Sequence, residues 1–150
     1  GYLYTHENGP NDGQPLGASP VAMDSYIESS FMDIADGEFY MLTKRVIPDV
    51  DFTASQTSNP VTGAALVPAV DMAVAVTKFP GAATATTDVA GTTLTRNIVT
   101  ATSTINQYTD QVFIRARGRQ MSFKISSNTL GTQWQLGDTR VDAKPAGMRG

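Results

Sequence analysis

At 150 residues the chain has room for one domain with a core of its own, but not comfortably for two. Cysteine is absent, which excludes disulfide staples and thiolate metal sites and leaves the redox compartment open. The net charge of −3 divides unevenly: residues 1–109 carry four basic and eleven acidic side chains, a balance of −7, and residues 110–150 seven and three, a balance of +4. A freestanding nucleic-acid binder is usually basic overall, and this chain is not.

Strand-forming residues and turn dipeptides dominate from the start. Gly1 in place of a methionine, and Tyr2-Leu3-Tyr4 reading like a strand entered partway along, suggest a piece of a larger polypeptide. Residues 8–20 hold three Gly and three Pro and read as a long loop. Ser25 to Ile34 is expected to be a strand. Asp36-Gly37 then supplies the positive φ angles of a type I′ turn, predicting a hairpin with Glu38–Ile47 as its second arm. Pro48 removes a ladder donor and ends that arm. Residues 53–63 form a polar loop.

From Val70 to Phe79, Met72, Val74 and Val76 alternate with Ala73, Ala75 and Thr77, the period of a strand with one buried face. Pro80-Gly81 closes it. Residues 81–109 contain ten Thr in 29 and few large aliphatics, so a strand near 92–100 is expected to lie exposed or to pair with another chain. No apolar run approaches the roughly 18 residues of a membrane-spanning helix; the longest, Ala64 to Val70, is broken by Pro68.

Residues 110–127 hold the clearest pattern. Val112, Ile114 and Ala116 alternate with Phe113, Arg115 and Arg117, and beyond Gly118-Arg119-Gln120 the apolar set resumes at Met121, Phe123 and Ile125. The apolar positions switch from even to odd across Gly118, which predicts a β-bulge or sharp bend there. Gly131 reads as a turn, Trp134–Leu136 as a short strand, and residues 137–150 as an extended tail. The fold class expected is mainly β, antiparallel and sandwich-like or propeller-associated, in a single unit or C-terminal fragment spanning 1–150.

Sites for chemistry are sparse. His6 is the sole histidine, and with no second imidazole or thiol a zinc site or triad has no partners. Asp49 and Asp51 have spacing compatible with calcium, but the later oxygen ligands of a recognised loop are missing, so solvated carboxylates are the better reading. Asp33, Asp36, Glu38, Asp49 and Asp51 are the candidates for carboxylate-pair hydrolysis, and nothing in their spacing favours it. No cofactor is expected.

The row Arg115, Arg117 and Arg119 stands apart. On an unbroken strand the three guanidinium groups would project to one side about 7 Å apart. Three readings stay open for it: a solvated strand face, a subunit interface answered by acidic groups of the −7 portion, and contact with DNA phosphates. The fork of arginine suits bidentate carboxylate pairing, which favours the interface. The switch at Gly118 turns Arg119 away from the other two and weakens a simple phosphate comb. Trp134 with Leu136 reads as a core or interface anchor, and Arg140 joins the candidate interface residues.

The string Val112-Phe113-Ile114-Arg115-Ala116-Arg117-Gly118-Arg119-Gln120-Met121-Ser122-Phe123-Lys124-Ile125 resembles the C-terminal region of large virion proteins of short-tailed phages. So do Gly131-Thr132-Gln133-Trp134-Gln135-Leu136-Gly137 and Arg140-Val141-Asp142-Ala143-Lys144-Pro145-Ala146-Gly147-Met148-Arg149. Ser25-Tyr26-Ile27-Glu28-Ser29, Asp33-Ile34-Ala35-Asp36-Gly37 and Arg45-Val46-Ile47-Pro48-Asp49 resemble that family in the same order, and residues 53–109 only loosely. These are the tail tubular, nozzle or packaged-DNA stabilisation proteins.

The resemblance implies a structural, non-enzymatic subunit of a hexameric ring in the virion tail, below the portal and its adaptor. Its partners would be further copies of itself, the head-to-tail adaptor, tail fibre or tail-tip proteins and, in passage, genomic DNA. No membrane insertion by this segment is implied. An acidic bulk suits a conduit whose wall must not bind phosphates. Two alternatives remain: a cell-surface or glycan-binding adhesion module, and a glycan hydrolase fragment.

Overall fold

The computed structural model describes residues 9–12, 19–33, 38–77, 85–87, 93–95 and 98–148. They form antiparallel sheets with no helix among them. Two sheets carry the architecture. The larger has the order β10 (Ile98–Asn106), β7 (Ala69–Thr77), β12 (Gln120–Ser127) and β3 (Ser25–Glu28), with β4 (Met32–Asp33) pairing β12 beside β3. The smaller has the order β11 (Val112–Gly118), β5 (Phe39–Ile47) and β14 (Arg140–Met148). Two-stranded ribbons complete the set: β1 (Asn11–Asp12) with β2 (Val21–Ala22), β6 (Val50–Asp51) with β13 (Gln135–Leu136), and β8 (Ala85–Thr87) with β9 (Thr93–Thr95).

The core lies between the two main sheets, in a sandwich-like arrangement. Val70, Met72, Val74 and Val76 of β7, Ile105 of β10, and Met121 and Ile125 of β12 meet Met41 and Val46 of β5 and Val112, Ile114 and Ala116 of β11. The alternation expected for Val70–Phe79 is present along β7, with Phe79 outside the described residues.

The hairpin expected from Ser25–Ile34 and Glu38–Ile47 does not form. β3 and β4 pair β12 in the larger sheet, whereas β5 pairs β11 and β14 in the smaller. Asp36-Gly37 lies outside the described residues, as do His6 and Pro80-Gly81. Each arm was readable as a strand, but β5 gains more from a central place between two partners than from its sequence neighbour.

The strand near 92–100 resolves into β9 and β10, and β10 is matched residue for residue with β7 from Ile98↔Thr77 to Asn106↔Ala69. Its partner is thus within the chain. The tail expected over 137–150 is largely β14, docked along β5 from Arg140↔Ile47 to Met148↔Phe39 with two register shifts. Extended geometry was foreseen there, and pairing was not. Within 8–20 the ribbon strand β1 interrupts the loop. Residues 53–63 carry turns, with the Asn59 side chain accepting from Val61 N–H at 2.9 Å and Thr62 N–H at 3.1 Å.

Gly118 is where the chain leaves one main sheet and enters the other. Val112, Ile114, Ala116 and Gly118 face inward from the smaller sheet, and Met121 and Ile125 face inward from the larger. An odd-for-even switch is what a strand needs when it crosses from one wall of a core to the opposite wall. The sharp bend is as expected; the bulge lies earlier, between Phe113 and Ala116. A Cβ on Gly118 would come within 2.7 Å of Thr77 O and of Val76 Cβ, so close approach selects glycine here. Arg119 N–H donates to Thr77 O at 2.7 Å and pins the crossing to the end of β7.

Candidate functional site: the basic face of the smaller sheet

The inward face of β11, β5 and β14 is committed to the core, so their alternate residues form an outer face. β5 brings Lys44 and Arg45, β11 Arg115 and Arg117, and β14 Arg140 and Lys144. Asp142 is the lone carboxylate on these three strands, leaving a balance of +5. Lys44, Arg115, Arg117, Arg140 and Lys144 are exposed and Arg45 is half-buried.

Lys44 joins this face through an irregularity of β5. Met41, Thr43 and Val46 are the buried residues of the strand, so its inward period slips by one between Thr43 and Val46. Registers against both neighbours shift at that point, from Phe113 to Ala116 on β11 and from Asp142 to Ala143 on β14. A bulge of this kind leaves two consecutive side chains, Lys44 and Arg45, outside the core.

Five contacts organise the face. Arg45 forms an ion pair with Asp142 at 3.8 Å and donates to Gln111 Oε1 at 3.2 Å. Arg117 reaches over the central strand and donates from Nη2 to the Ala146 carbonyl at 2.9 Å. Its guanidinium also lies 5.0 Å from the ring centroid of Tyr40, while that of Arg119 lies 5.7 Å from the same centroid. Cation–π contacts at exposed sites contribute about 0.5–1 kcal/mol each, enough to hold two like charges over one ring. Arg119 therefore leaves the strand row, as the switch at Gly118 implied, yet its head group returns beside Arg117.

Phe113 stands among these cations and is 74% exposed. Together Lys44, Arg45, Phe113, Arg115 and Asp142 line an open cleft of about 540 Å³. An exposed aromatic ringed by arginine is the composition of an interface centre.

Arg115, Arg117 and Arg140 thus share one face with Arg119 at its border. Trp134 does not belong to it. The indole is half-buried against the core, and its Nε1–H donates to Ser25 Oγ at 2.9 Å, fastening the start of β3. Lys44, Arg45, Tyr40 and Lys144 were missed as members of this site. Their membership follows from β5 lying between β11 and β14, and no local sequence signal carries that pairing.

The acidic candidates are dispersed. Asp33 is on β4 and Glu38 precedes β5, in different sheets; Asp36 is outside the described residues. Asp49 braces the turn after β13: Gly137 N–H donates to its carbonyl at 2.7 Å, and Asp138 N–H to its Oδ2 at 3.1 Å. Asp51 Oδ1 accepts from the Thr53 hydroxyl and from Thr53 N–H, the latter at 2.7 Å. These bonds favour the charged form and hold its carboxyl below the ordinary aspartate range. Among the described residues no cluster of three metal-ligating side chains occurs, and no helix is long and apolar enough to cross a membrane.

The opposite wall has a different chemistry. On the outer face of the larger sheet, Thr100, Thr102 and Thr104 of β10 lie beside Ala75, Ala73 and Asp71 of β7. Lys124 and Ser126 of β12 lie beside Glu28 and Tyr26 of β3. Lys124 is spoken for, 3.7 Å from Glu28 and 4.7 Å from the Tyr26 centroid. Asp24 and Asp71 join Tyr26, Lys124 and Ser126 around a cleft of about 300 Å³. A third hollow, about 370 Å³ and mostly apolar, opens where β3 and β4 overhang the smaller sheet, between Ile27, Met32, Phe123, Leu136 and Val141.

Neither the models of known protein families nor the curated proteins give a match to this chain.

Proposed function

We propose that the chain is a structural subunit of a phage tail, a segment of a tube or nozzle ring below the portal and adaptor that retains the packaged genome and gives it an exit channel. The observation that carries this reading is the outer face of β11, β5 and β14. Six cations and an exposed Phe113 are displayed there on rigid strands with one carboxylate to answer them. Charge of one sign held on a pleated surface repels itself, and a neighbour carrying the other sign relieves that repulsion. The net charge of −3 argues for a protein neighbour over genomic DNA as the main occupant. The phage context rests on the resemblance of residues 112–149 and the earlier segments given above.

The reading as a glycan-binding module loses its platform, because the Trp134 indole is engaged with Ser25 and the core. Gold-labelled antibody raised against the chain, applied to purified particles that carry it, is expected to decorate the tail below the head vertex in electron micrographs. Label confined to the capsid shell, to fibre tips or to no part of the particle overturns the proposal.

A further inference from the structure

We infer that copies of this chain associate head to tail, the basic outer face of β11, β5 and β14 on one copy docking against the acidic, threonine-rich outer face of the larger sheet on the next. The inference rests on the reading of the chain as an assembly subunit and names the two surfaces that meet.

Its basis is charge complementarity built into opposite walls of one sandwich. One wall carries Lys44, Arg45, Arg115, Arg117, Arg140 and Lys144 against Asp142. The other carries Asp24, Glu28 and Asp71 against Lys124. Within each wall the opposite-sign residues are already used, since Arg45 holds Asp142 and Lys124 holds Glu28. No ion pair engages Lys44, Arg115, Arg140 or Lys144 on one side, or Asp24 or Asp71 on the other, among the described residues; Asp71 accepts from the Thr104 hydroxyl at 2.6 Å through Oδ1 and keeps its charge unanswered.

The shapes agree with the charges. The basic wall presents a projecting aromatic, Phe113, whereas the acidic wall is paved with Thr100, Thr102, Thr104, Ala73 and Ala75, short side chains that allow close approach. Both walls are strand surfaces held by the same core, so little ordering is required on docking. Because the two patches differ, the contact is heterologous. It propagates to a third copy and beyond, closing only if the rotation between copies closes.

Sedimentation velocity of the 150-residue chain over a concentration series is expected to show species larger than a dimer. These should dissociate as salt rises from about 0.1 M to about 1 M, where the screening length falls from about 10 Å to about 3 Å. The double variants Lys44→Glu with Arg115→Glu, and Asp24→Lys with Asp71→Lys, are each expected to stay monomeric while keeping the near-UV spectrum of Trp134. Mixed together they are expected to pair, since the first variant keeps the acidic wall intact and the second keeps the basic wall intact. Assembly that survives either double variant, or that stops at a two-fold dimer, overturns the docking while leaving the subunit reading intact. A wild-type chain that stays monomeric throughout and instead binds duplex DNA through Lys44 and Arg115 overturns the docking in favour of a polyanion surface. Tail labelling of particles, being independent of these variants, shows separately whether the subunit reading stands.

Discussion

Single residues fix the crossing between the two walls and the turns that frame them. Gly118 has Thr77 O and Val76 Cβ where a Cβ would sit, at 2.7 Å from each. Both neighbours belong to β7, a strand buried in the middle of the larger sheet, so neither can retreat freely. Gly118→Ala is expected to destabilise the fold by about 1–3 kcal/mol, the usual range for overpacking; a urea titration whose midpoint does not move would contradict it. Gly131 has the second demanding glycine backbone, at φ +74°. There the N–H donates to Asn11 Oδ1 at 2.6 Å and the carbonyl accepts from Gln56 N–H at 2.8 Å.

Asp51 gives a residue-scale prediction with a pH sign. Its native pKa is depressed by the Thr53 hydroxyl first and the Thr53 N–H second. Its contribution to stability is therefore present above the unfolded value of about 4 and is lost as pH falls through the lower native value. Asp51→Asn should therefore lower stability slightly at neutral pH, flatten the acid limb in that window and leave stability below the native value unchanged, the effect being small because the site is exposed. A carboxyl carbon of Asp51 titrating at or above the ordinary aspartate midpoint in an NMR pH series would remove the argument.

At the scale of elements, the smaller sheet depends on β14. It is an edge strand, yet it covers one flank of β5 and receives the Arg117 and Arg45 contacts at Ala146 and Asp142. Ending the chain after Thr139 is expected to lower the denaturation midpoint and to speed amide exchange in β5 far more than in β7. β7 keeps both partners, β10 and β12, and should hold the slowest-exchanging amides. Equal protection of β5 in the full and shortened chains would show that β14 contributes nothing to the sheet.

The same strands show what was legible from the residues alone. Period-2 alternation announced β7, β11 and β12 because each buries one face, and the even-to-odd switch at Gly118 announced a bend. The partners were a different matter. Asp36-Gly37 suggested that neighbours in sequence would pair, but β5 found β11 and β14, separated from it by dozens of residues. β14, with Pro145 and Gly147 and little apolar content, has no pattern that distinguishes a docked edge strand from a loose tail. The basic face suffered the same loss. Arg115 and Arg117 were visible as a row, whereas Lys44 and Lys144 joined them only through tertiary pairing.

For the whole molecule, the decisive feature is that one core serves both walls and the chain passes between them within three residues, Gly118 to Gln120. Stripping the smaller sheet away would uncover Val70, Met72 and Val74 of β7, and stripping the larger would uncover Val46, Val112 and Ile114. Neither sheet can then melt alone without exposing the apolar face of the other, which favours all-or-none unfolding in a domain of this size. Trp134 reports from the far side of the crossing, bonded to Ser25 of β3 and packed on the core. Its near-UV circular dichroism should therefore be lost in one sigmoidal step coincident with the far-UV strand signal. Met72→Ala, which empties a fully buried site in the central strand, should shift both curves together by about 2–5 kcal/mol. Two separated transitions, with the Trp134 signal lost first, would mean that the walls are independently stable and that the shared core does not couple them.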